Sequence, residues 1–180
     1  ISRSTSQANQ NRMSRRSSRK PLRALELSLE RSLTIALIAL ATLFALMKPI
    51  SAIDLTVFLR MGAWMAEHGT WLEREPFAIS ALEVPFQNGT WLAQWLLYQI
   101  YHLGGYPTLQ ILLALTVCAT LSLAASHVVA RGGWKLAGPG TLFVLAFLLQ
   151  NLAIRPQSFS VPLFALLLLL LDRHPDRWFT

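Results

Sequence analysis

Between Ser32 and Met47 the chain reads SLTIALIALATLFALM, a run without a single charge. A solvated surface helix needs a polar face, and this segment has none. With Lys48 free to snorkel and an interfacial turn before it, the run is long enough to cross about 30 Å of hydrocarbon. Three more uncharged stretches follow, at 107–130, 138–153 and 158–171. Only 14% of the residues are charged, against about 25% in a soluble domain. The chain is therefore expected to be an all-α membrane protein with about four transmembrane or re-entrant helices. The first span is placed at about 32–49. The last two stretches are marginal in length for spanning, so a short re-entrant pair stays open for them.

Charge sets the expected orientation. Residues 1–31 hold eight Lys/Arg against Glu26 and Glu30, which accounts for +6 of the chain's +7. Cations crowd before the first apolar run and only Lys48 follows it closely, so the positive-inside rule puts the N-terminus in the cytoplasm. The expected location is a membrane, with the N-terminus on its cytoplasmic side. Residues 1–20 are rich in Ser, Arg, Asn and Gln with almost nothing to bury, and are expected to be a disordered basic tail. Met13 opens a plausible cytoplasmic leader. An organellar transit peptide has a similar composition, but a basic anchor needs fewer assumptions. The tail has no aromatic residue, so its charge does not point to nucleic acid. The single cysteine, Cys118, lies in an apolar run and reads as a small buried hydrophobe.

With that orientation residues 50–106 form the first extracytoplasmic loop. The stretch from Ile50 to Leu97 holds five of the nine carboxylates and four of the six tryptophans. Two interfacial amphipathic helices are expected in the loop. Residues 54–68 set Leu55, Phe58, Leu59 and Ala63 on an apolar face, keep Asp54, Arg60 and Glu67 polar, and stop at Gly69. Residues 90–103 are rich in the Trp and Tyr that favour the headgroup region. Between them, Glu75-Pro76 and Val84-Pro85 suggest extended pieces, and Asn88-Gly89 a turn.

Chemistry is most plausible in this loop. Asp54 emerges at the membrane boundary, where it serves as a helix N-cap, as a general base whose pKa is raised by partial desolvation, or as both. Glu75 and Glu73 are second acidic candidates, although surface solvation is the commoner fate of such residues. Arg155 closes an apolar run just before Pro156, on the same side as Asp54. An arginine at membrane depth tends to mark function, and its guanidinium suits the bidentate recognition of a phosphate. Snorkelling at a helix end is the plain alternative. His68, His102 and His127 lack metal-ligand spacing and read as structural. No metal site or cofactor motif is identified, and the need for a divalent metal is left open. Asn88-Gly89-Thr90 is formally a glycosylation sequon, but Asn-Gly is also a common tight turn.

One resemblance gathers these residues. Asp54, Leu59-Arg60-Met61-Gly62, Glu67-His68-Gly69, Glu75-Pro76-Phe77-Ala78, Gly89-Thr90-Trp91, Gln94-Trp95-Leu96 and Leu103-Gly104-Gly105-Tyr106 resemble the first periplasmic loop of bacterial polytopic glycosyltransferases with the GT-C fold. These belong to the protein O-mannosyltransferase and aminoarabinose transferase group. Arg155-Pro156-Gln157-Ser158-Phe159-Ser160 resembles a later segment of the same proteins. The resemblance implies a polyprenyl-phosphate-linked sugar donor arriving from the bilayer, Asp54 as base on the acceptor, Glu75 as a second acid and Arg155 on the donor phosphate. Against the pattern, this chain has Val57-Phe58, Glu75 and Gln94 where such proteins carry an aromatic-His pair, an Asp and an acidic residue. Those enzymes have about twice as many membrane helices and a further soluble domain. The chain is therefore expected to be either the N-terminal part of a longer protein or a shortened descendant, and too short for activity alone. A non-catalytic subunit that stabilises a larger membrane complex is the rival expectation.

Overall fold

The computed structural model describes residues 2–50, 53–72, 88–150 and 152–173. Among them there are only helices and connecting turns, without a strand. In chain order the α-helices are α1 (Ser2–Met47), α2 (Ile53–His68), α3 (Trp91–Gly104), α4 (Tyr106–Gly132), α5 (Trp134–Gln150) and α6 (Ser160–Arg173). A single 3₁₀ turn, Pro156–Phe159, leads into α6. Two helices are long and apolar enough to cross a membrane: Ala24–Met47 within α1 and the whole of α4, with mean hydropathy 1.8 and 2.0. The apolar helices α5 and α6 are shorter.

One difference from expectation lies at the start. The α1 backbone is helical from Ser2, where residues 1–20 are expected to be a disordered tail. Lack of anything to bury argues for disorder. Arg, Gln, Lys and Met are nevertheless good helix formers, and a helix once nucleated extends at little cost per residue.

α4 is the element the others share. It packs against α1, α3, α5 and α6, using Leu109, Leu113, Ala114, Val117, Thr120, Leu121 and Ala125, all buried. Their spacing of one, three or four residues lines successive turns of a helix. α1 meets this bundle with small residues: Thr34, Ala41 and Ala45 are buried on its side, Ala137 and Thr141 on that of α5. Small side chains bring backbones close, the usual way helices pack where no water drives them together.

The ends of α1 and α4 are tied by side chains. The last carbonyls of a helix have no partner inside it, and Gln110 of α4 supplies one: its Nε2 donates to the carbonyls of Ala45 and, at 2.8 Å, Lys48. Lys48 itself donates from Nζ to the carbonyl of Leu152 at 2.6 Å. At this end the turn after α1 therefore meets the turn before α6. At the opposite end Arg31 stands over the Trp134 ring, 5.7 Å from its centroid, and Arg131 reaches Asp172.

α2 and α3 form an antiparallel pair beside the first of these ends. Gly62 allows their contact, because a Cβ there would collide with the Gln94 carbonyl and the Tyr98 side chain. Gly69, at φ 65°, turns the chain out of α2, in the left-handed conformation that glycine adopts without steric cost. Leu55 and Leu59 of α2 and Leu97 of α3 join the main core with Leu109, Leu152 and Ile154. Met61, Met65 and Leu72 make a second small core with Trp64.

Candidate functional site

The two turns at that end carry the charged residues of interest. Asp54 lies in the first turn of α2, where the helix dipole favours a carboxylate. Its neighbour Leu55 is 1% exposed, which fixes the backbone while the aspartate points outward. Arg155 follows Ile154, 2% exposed, so both charges are mounted on core anchors. The guanidinium Nη2 lies 3.5 Å from Asp54 Oδ2, and the side chains are 54% and 58% exposed. The desolvation expected for Asp54 is thus not supplied by the chain itself.

The Arg155 turn is built locally. A residue before proline is pushed to extended backbone, and Arg155 has φ −139° and ψ 162°. Its backbone N–H donates to Ser158 Oγ at 3.1 Å, and that hydroxyl donates to the Ala153 carbonyl at 2.9 Å. Ser158 N–H returns a bond of 2.9 Å to the Arg155 carbonyl. Lys48, bonded to Leu152, steadies the turn from outside.

Arg155 also borders a cleft of about 550 Å³ between α4, α5 and α6. Leu113, Val117, Val144, Phe147, Leu148 and Val161 make its apolar wall, with Gln150, Arg155, Gln157 and Ser158 supplying polar groups. This combination suits a molecule with an apolar tail and an anionic head: the walls remove apolar surface from water, and the guanidinium offers paired donors to an oxyanion.

Of the residues singled out in the sequence, Asp54 and Arg155 come together here. Glu73 and Glu75, and with them the extended pieces around Pro76 and Pro85, lie outside the described residues. Gln94, by contrast, is 2% exposed and structural: Asn88 Nδ2 donates to its Oε1 at 2.6 Å and its Nε2 donates to Thr90 Oγ1 at 2.9 Å. Asn88 Oδ1 also accepts from Thr90 N–H at 3.3 Å, so this segment is a side-chain-braced turn that starts α3. His68 stacks on Trp64 with centroids 4.1 Å apart, and His102 tilts against Tyr98. Among the described residues no three His, Cys, Asp or Glu side chains are grouped to hold a metal ion.

Sequence reasoning missed the bracing roles of Lys48, Gln110 and Ser158. Gln110 carried a signal, as a lone amide inside an apolar run. It also missed the cluster at the other end of the bundle. There Arg131 grips Asp172 with two nitrogens, Nε at 3.0 Å and Nη2 on the second oxygen. His127 Nδ1 lies 2.8 Å from the same carboxylate, at an angle that makes no hydrogen bond. A second groove, of about 330 Å³, is walled by Met65, Trp71, Trp91, Leu92 and Trp95. No protein-family model, curated protein or solved structure matches the chain.

Proposed function

We propose that this chain is the membrane-embedded N-terminal module of a GT-C-like glycosyltransferase. It would take a sugar from a polyprenyl-phosphate donor and pass it to an acceptor at the extracytoplasmic face of a bacterial inner membrane. The observation that carries this reading is the position of Arg155. It borders a largely apolar cleft of about 550 Å³, and its guanidinium is 3.5 Å from Asp54, the residue assigned as base.

The membrane setting is supported by what the helices leave uncovered. Leu33, Leu40, Phe44 and Met47 on α1, Phe143 and Phe147 on α5, and Leu163 and Phe164 on α6 are all more than half exposed. So much apolar surface suits lipid and not water. In the proposed arrangement α1, α4, α5 and α6 cross or dip into the bilayer, and α2 and α3 lie in its outer interface. Trp71, Trp91 and Trp95, exposed around one groove, then meet the headgroup region that tryptophan prefers. The N-terminus and the Arg131–Asp172 pair face the cytoplasm. Phosphate of the donor binds Arg155, the prenyl chain occupies the cleft, and Asp54 draws the proton from the acceptor hydroxyl or amine. Glu75 and Glu73 are the further acids of this scheme.

A second reading is favoured by the ion pair itself. Asp54 and Arg155 satisfy each other's charge, as two structural residues would, and that suits a non-catalytic integral subunit packed into a larger membrane complex. Transfer from a polyprenyl-phosphate sugar, measured with the full-length gene product, separates the two. General-base catalysis is worth about 10²–10⁴ in rate, so Asp54→Asn is expected to lower transfer by at least about 100-fold. Unchanged transfer removes the catalytic reading of Asp54.

A further inference from the structure

We propose that the Asp54–Arg155 pair is an exchange switch, in which an incoming lipid phosphate takes the guanidinium and so releases the carboxylate. The inference rests on the lipid-phosphate reading of the cleft and adds the regulation of that site: the base is held while the donor is absent and freed when it arrives.

The resting pair is built to be given up. It is one contact of 3.5 Å between side chains that are 54% and 58% exposed, and an exposed single-contact pair is weak. Among the described residues the guanidinium donates no hydrogen bond, and its one partner is the Asp54 carboxylate as an ion pair, so its N–H groups are available. A phosphate offers the paired oxygens that an arginine fork matches, a stronger interaction than a single long contact. The tail of the same molecule would meanwhile be drawn into the apolar cleft that Arg155 borders.

The backbone beneath each partner is fixed, so exchange requires only side-chain rotation. Ser158 and Lys48 brace the Arg155 turn. Asp54 stays in place after release, because Leu55 is locked in the core and the first turn of α2 favours its charge. The freed carboxylate is then a proton acceptor beside the phosphate-bound headgroup. In the resting state one of its oxygens faces the guanidinium, which makes it a poorer proton acceptor than the freed carboxylate.

Competition of this kind is reciprocal: what Asp54 takes from phosphate binding, phosphate takes from Asp54. The test is the affinity of dodecyl phosphate for the chain in detergent micelles, measured by calorimetry, with dodecanol and inorganic phosphate alongside. Asp54→Asn should bind dodecyl phosphate several-fold tighter than wild type. Arg155→Gln should bind it more weakly, and adding Asp54→Asn to Arg155→Gln should change nothing further. Dodecanol affinity should be the same in all four proteins. Inorganic phosphate should bind at least tenfold more weakly than dodecyl phosphate, and equal affinity would overturn a lipid as the source of the head. Tightening by Asp54→Asn that persists without Arg155 reports a general field effect and overturns the switch. So does no tightening at all. If dodecyl phosphate binds no better than dodecanol, the phosphate role of Arg155 falls with it. A failure of Asp54→Asn to impair sugar transfer would leave these binding results standing, so the two failures can be told apart.

Discussion

Arg155 Nη2 and Asp54 Oδ2 stand 3.5 Å apart, although each belongs to a different turn and each turn is anchored by its own buried neighbour, Ile154 and Leu55. The anchors, and not the charges, hold the turns together. Asp54→Asn, Arg155→Gln and the double variant should therefore unfold within about 1 kcal/mol of wild type, with a coupling energy below about 1 kcal/mol. Denaturation followed by tryptophan fluorescence checks this. Coupling of several kcal/mol would make the pair a structural staple and argue against its being exchanged.

Gln94 should behave in the opposite way. It is buried and bonded to both Asn88 and Thr90, so Gln94→Leu leaves two polar partners without it. A loss of about 1–3 kcal/mol is expected, seen as a lower midpoint in the same unfolding experiment. Since α3 starts at this turn, the far-ultraviolet signal should show the loss as well.

Gly62 tests the α2–α3 contact. Any side chain there meets the backbone of Gln94, which cannot swing aside as a flexible side chain would. Gly62→Ala should cost about 1–3 kcal/mol by overpacking, whereas Gly89→Ala, where a Cβ meets nothing within 4 Å, should cost less. Equal effects would mean that the pair is not closely packed.

Much of this fold was legible because it depends on pattern. Uncharged runs marked α1, α4, α5 and α6, Gly69 ended α2, and Gly104-Gly105 separated α3 from α4. The apolar periodicity of 54–68 identified the face that Leu55 and Leu59 bury. The meeting of Asp54 with Arg155 was legible only as a shared side, since no local pattern sets a distance between turns so far apart in sequence. Lys48 read as a residue snorkelling to the interface, because the carbonyl it binds, that of Leu152, is set by tertiary packing alone. Residues 2–20 carry two opposed signals: too little to bury argues for disorder there, while intrinsic propensity argues for helix.

The proposed orientation makes a prediction of its own. His102 at the end of α3 and Lys135 at the start of α5 are both exposed and fall on opposite sides of the membrane in this scheme. With Cys118 replaced by Ala, His102→Cys should react with a membrane-impermeant maleimide applied to spheroplasts. Lys135→Cys should react only after the membrane is opened. The reverse pattern would invert the orientation, and would put the Asp54–Arg155 end in the cytoplasm.

The central claim is that the cleft beside Arg155 holds the tail of a lipid phosphate. A polyprenyl phosphate carrying a photoreactive group on its prenyl chain tests it most directly, with the cross-linked residues mapped by mass spectrometry. Adducts should concentrate on Leu113, Phe147 and Val161, which line the cleft, and should fall with unlabelled polyprenyl phosphate and not with the corresponding alcohol. Adducts distributed equally over the exposed face of α1, at Leu40 and Phe44, and insensitive to competition, would contradict it.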